Sequence, residues 1–93
     1  MHNMTPRLKE ILVISQEEAA EVIQEISKCF RFGLNSNHKN GRVHRDALES
    51  EIGDFLAMVD LLLEEGVVTE SGLSAAKQQK IEKLKVWSEI FRK

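Results

Sequence analysis

The 93-residue chain is 42% hydrophobic and 30% charged with a single proline, which fits one folded helical domain over 1–93 and excludes a fibrous or disordered chain. Thirteen basic residues against fifteen acidic ones give a net charge of −2, so no global positive field exists to hold a nucleic acid polymer. Cys29 is the only cysteine and no apolar run approaches the roughly 20 residues that span a bilayer, so the expectation is a soluble cytoplasmic protein with no disulfide, no cysteine-cluster zinc site and no membrane partner.

Thr5-Pro6 opens the first predicted helix, since threonine caps exposed amides and proline suits the first helical position. Periodic apolar residues carry that helix over 6–32. Gly33 is placed to close it in a left-handed conformation, and 33–43 is a polar, turn-rich connection. A second apolar-periodic stretch runs from about 45 to Glu65-Gly66. Thr69 and Ser71 are the two candidate caps for a third helix over about 73–92, where Leu73, Ala76, Leu84, Trp87 and Phe91 return to one face. No strand-like alternation persists. The fold class is therefore all-α, a small bundle of three main helices, and its leftover apolar surface predicts completion by homo-oligomerisation.

The acids are placed unusually. At about 100° per residue, Ile11, Ala19, Val22, Ile23, Ile26 and Phe30 form one broad apolar arc. Glu18 falls at its edge between Ile14 and Val22, with Glu21 and Glu25 just outside. On the second helix Glu51 projects between Met58 and Leu62, and Asp54 lies at the border between Ala47 and Leu61. A carboxylate on an apolar face must stay charged against desolvation, take up a proton or find a cation. Glu18 and Glu21 are three residues apart, as are Glu51 and Asp54, so each pair lies on adjacent turns of one face. Two such helices packed together bring four carboxylates towards a shared divalent cation. The donors are hard oxygens and no Glu-x-x-His pair is present, which selects Mg2+, with Mn2+ as a substitute, over a di-iron centre. Magnesium shares its coordination with phosphate oxygens, so a phosphorylated substrate is expected. His2, His38 and His44 fall in the terminus or the first loop and are read as solvated.

The segment Glu17-Glu18-Ala19-Ala20-Glu21, followed after a loop by Glu51-Ile52-Gly53-Asp54, resembles the EExxE and ExxD signature of the MazG-like all-α nucleoside triphosphate pyrophosphohydrolases. The likeness covers about 8–87 and includes Arg31-Phe32-Gly33 after the first helix. The resemblance implies hydrolysis between the α and β phosphorus atoms of a nucleoside triphosphate, releasing monophosphate and pyrophosphate. It assigns Glu18, Glu21, Glu51 and Asp54 to magnesium and Glu17 to the attacking water or a further metal. It also implies a homodimer or homotetramer with the nucleotide pocket close to the subunit interface. The chain is compact with a short final region, a departure that leaves base specificity open.

Supporting residues are read from the projection. Lys80 lies between Trp87 and Leu73 and Lys77 beside Leu84, inside the apolar stripe of the third helix, where they either bind phosphate or extend to water from a helix border. Phe32 is a candidate to stack on a base, and Asn35 and Asn37 to hydrogen-bond it. Two alternatives stand beside this reading. One is a related pyrophosphatase specific for dUTP, dCTP or phosphoribosyl-ATP; the other is a helical interaction module whose acids dock a basic partner.

Overall fold

The computed structural model describes residues 4–37 and 41–92, so His2 and His38 lie outside the described residues. Three helices follow one another: α1, Pro6–Phe32; α2, His44–Glu64; and α3, Glu70–Trp87. Among the described residues the only β pairing is an isolated antiparallel bridge between Asn37 and Val43. Among the described residues no helix is long and apolar enough to cross a membrane. The chain divides into two compact units, Met1–Leu62 and Leu63–Lys93.

In the first unit, α1 begins as its sequence dictates: the Thr5 side chain accepts from the Leu8 amide at 3.1 Å and Pro6 occupies the first turn. Gly33 closes the helix with φ +91° but ψ 154°, so its positive φ is as expected while its ψ is extended rather than left-handed helical. Its amide donates to the Cys29 carbonyl at 2.9 Å, and the chain then turns back. Ser36 Oγ donates to the Phe32 and Gly33 carbonyls, which holds the turn against the end of α1. The His44 amide donates to the Ser36 carbonyl at 3.0 Å and the Arg45 amide to the Leu34 carbonyl at 2.8 Å. Two amides of the first turn of α2 are thereby satisfied by loop carbonyls, where a side-chain cap is the commoner solution. Phe32 stacks on His44 at one end, and Glu18 meets Glu51 and Asp54 farther along, so α1 and α2 form an antiparallel hairpin.

The inward line of α1 is Leu8, Ile11, Ser15, Glu18, Val22, Glu25 and Cys29, all buried or half-buried and spaced alternately by three and four. On α2 it is His44, Ala47, Glu51, Phe55, Met58 and Leu62. This corrects the centre of the projected arc. Ile23 and Phe30 are 65% and 88% exposed, whereas Glu25, placed outside the arc, is 6% exposed. The apolar arc is wider than the strip one neighbouring helix can cover, so its far side stays in solvent. Ser15 is tolerated inside because its hydroxyl donates to the Ile11 carbonyl at 2.7 Å.

In the second unit, Gly66 turns the chain at φ +74° and Thr69 caps α3, accepting from the Gly72 amide at 3.0 Å. A Cβ at Gly72 would stand 2.8 Å from Thr69 Oγ1, so glycine makes room for the cap. The helix thus starts earlier than its first apolar residue. It also ends earlier, at Trp87 rather than Arg92, because Ser88 turns extended and its hydroxyl donates to the Leu84 carbonyl at 2.7 Å.

Two glycine substitutions separate conformational need from habit. Gly33→Ala is expected to destabilise the protein by about 1–3 kcal/mol, since an alanine at φ +91° and ψ 154° is strained even though its Cβ has space. Gly53→Ala, in the interior of α2 with nothing within 4 Å of the new Cβ, is expected to stabilise by roughly 0.5–1 kcal/mol. Denaturant titration of both variants checks the opposite signs.

Candidate metal centre

Three of the sequence-selected acids converge. Glu18 from α1 with Glu51 and Asp54 from α2 each offer a carboxylate oxygen, and these atoms lie within 4.8 Å of one another. Glu51 and Asp54 are three residues apart on α2, so adjacent turns present both to the same side. Glu18 and Glu51 are half-buried and Asp54 is exposed, which gives the group an inner edge in the hairpin and an outer edge in water. Such a half-open arrangement of oxygens suits a cation that keeps part of its hydration shell.

Electrostatics marks Glu51 as the focus. Its pKa is raised from the ordinary 4.5, first by desolvation and then by the charges of Asp54, Glu21, Glu18 and Glu25. Glu21 is exposed and stands outside the three-residue group, yet its charge is felt at Glu51. Glu17 is exposed on α1 beside Glu18. The same crowding that favours a proton on Glu51 favours a divalent cation, which relieves the repulsion of several carboxylates at once.

The remaining candidates fall elsewhere. Phe32, Asn35 and Asn37 are exposed at the turn between α1 and α2. At 1.5 Å rise per residue, about 20 Å of helix separates Phe32 from Glu18, so the turn residues and the acids occupy different stretches of the hairpin. The Phe32 ring is 52% exposed and already engaged: it stacks on His44 at 5.4 Å between centroids, and the Arg31 guanidinium lies 5.0 Å from its centre. Lys77 and Lys80 are exposed on α3, in the second unit.

Two residues sit otherwise than their sequence predicts. His44, read as a solvated loop histidine, is the first residue of α2 and only 3% exposed, because the backbone bonds of the turn draw it under Phe32. Glu25 is the most buried acid of the hairpin, and its Oε1 lies 3.3 Å from Lys28 Nζ. The three-four spacing that begins at Leu8 is the signal that places Glu25 inward; a projection centred on the apolar arc hides it.

Comparisons with protein-family models, curated proteins and solved structures gave no match. The centre is therefore defined by its own geometry.

Glu51 links this geometry to stability. Its folded pKa lies above its unfolded one, so its contribution to folding is fully present below about pH 4.5 and is lost as pH rises through the raised value. In chelator at pH 7, Glu51→Gln is expected to melt at or above the wild-type temperature, and this advantage shrinks as pH falls towards 4.5. With excess magnesium, the wild type is expected to gain stability by mass action and the variant much less. Thermal melts with chelator and with magnesium across this pH range check both outcomes. A variant that melts well below wild type in chelator yet keeps its full magnesium shift makes Glu51 a structural residue.

Proposed function

We propose that this protein is a Mg2+-dependent hydrolase that cleaves nucleoside or deoxynucleoside triphosphates to the monophosphate and pyrophosphate. The observation that carries the reading is the convergence of Glu18, Glu51 and Asp54 oxygens within 4.8 Å, from two helices whose sequences hold the paired acidic motifs. The donor chemistry fits magnesium, or manganese in its place: all oxygen, mixed in exposure and open on one side. Bound there, magnesium supplies positive charge for the phosphate oxygens and makes water easier to deprotonate.

In this reading the chain's own residues do the following. Glu18, Glu51 and Asp54 hold the cation, and Glu21 adds to the negative field around it. Glu17, one residue from Glu18 and exposed, orients the attacking water and accepts its proton. Lys77 and Lys80 are the proposed phosphate-binding cations. Phe32, Asn35 and Asn37 stay the proposed base contacts, although reaching them from Glu18 along one hairpin takes about 20 Å. Exposed apolar residues such as Ile23 and Phe30 support self-association as a homodimer or homotetramer. Cytoplasmic location belongs to the same reading.

The decisive experiment incubates the protein with a panel of ribo- and deoxyribonucleoside triphosphates and magnesium and resolves the products by chromatography. Monophosphate and pyrophosphate are expected, with no accumulation of diphosphate, since attack falls at the α–β linkage. Diphosphate and orthophosphate as first products refute the assignment. The same panel distinguishes a broad enzyme from one specific for dUTP, dCTP or phosphoribosyl-ATP.

The lysines have their own kinetic test. Lys77→Ala or Lys80→Ala is expected to lower kcat/KM by an amount on the order of 1.5–3 kcal/mol, the worth of a charged hydrogen bond to phosphate. Unchanged kinetics in both variants assigns them to the solvated face of α3.

A further inference from the structure

Glu25 has no place in the paired acidic motifs, yet it is buried more deeply than any acid within them. A carboxylate removed from water and faced by an ammonium 3.3 Å away is a poor source of stability, since desolvation of the two charges offsets much of their attraction. The partners are also unequally placed: the Lys28 side chain is 39% exposed and that of Glu25 only 8%. The lysine reaches in from the surface, and the negative end of the pair is the inner one. Glu25 lies two helical turns beyond Glu18 on the same inward line, the line that brings Glu18 to Glu51. Seven residues at 1.5 Å rise place Glu25 about 10 Å along the helix from Glu18, close enough for its charge to act on a cation held there.

We propose that Glu25 and Lys28 form a positioning pair for that centre, in which Glu25 adds negative potential at the cation without coordinating it and Lys28 offsets part of that potential from the surface. The inference rests on the metal-binding reading of Glu18, Glu51 and Asp54. It differs from a structural role in one respect: the two partners act on cation affinity with opposite signs. A pair that only braces the hairpin loses its function whichever partner is removed.

The test is Mn2+ binding by isothermal titration calorimetry at pH 8 on the full chain and three variants. Glu25→Gln is expected to weaken binding roughly three- to tenfold, as expected for removing one unit charge at moderate distance and intermediate dielectric. Glu25→Asp is expected to restore most of that loss. Lys28→Met is expected to tighten binding by about two- to fivefold, a smaller change because the lysine is the more exposed and outer partner. Affinities that fall in both Glu25→Gln and Lys28→Met, or that change in neither while the wild type binds, overturn the pair's role and leave the metal centre standing. No Mn2+ binding by the wild type overturns the metal centre and the pair together. If Glu25→Gln does not fold, the sign of the Lys28→Met effect decides alone.

Discussion

Carboxylates held between two packed helices are the constraint on which the rest of this protein turns. A half-buried Glu51 facing Glu18 and Asp54 is short of water and surrounded by like charge, and each of its remedies, a proton or a cation, is itself a ligand. The hairpin accordingly carries a local electrostatic repulsion at this point. Apolar burial along Leu8, Ile11, Ala47 and Met58 has to outweigh that repulsion, and these four are the buried apolar residues described for the chain. With so small a core, even a modest local repulsion is a substantial fraction of the net stability.

Which acids meet is decided by the turn between α1 and α2. Loop carbonyls at Leu34 and Ser36 take the first amides of α2, and the Phe32–His44 stack fixes the phase of the second helix against the first. A slip of one residue rotates a helix by about 100° and would carry Glu51 off the inward line. The turn thus acts at a distance as a spacer that keeps Glu51 opposite Glu18. That gives the buried His44 a structural purpose and accounts for a Phe32 ring engaged on its own chain.

The hairpin is also two-faced. One line of α1 is turned inward and carries acids among its apolar residues, while a second line holding Ile23, Ile26 and Phe30 faces solvent. Apolar surface of this kind favours association, and acids on the inward line favour a cation, so the proposed assembly and the proposed metal binding would both act on the same two helices.

Much of this was legible in the residues themselves. Three helices, the cap at Thr5, the break at Gly33 and the three-residue spacing between Glu18 and Glu21 and between Glu51 and Asp54 follow from local sequence, because capping, glycine φ and the 3.6-residue period act over a few residues. The burial of Glu25 and His44, the exposure of Ile23 and Phe30 and the placing of Glu21 outside the three-acid group did not follow. Periodicity gives the width of an apolar arc but not the strip of it that a neighbouring helix covers. That choice depends on the angle and phase at which α2 returns, and those are set by hydrogen bonds across the turn and by packing between residues far apart in the chain.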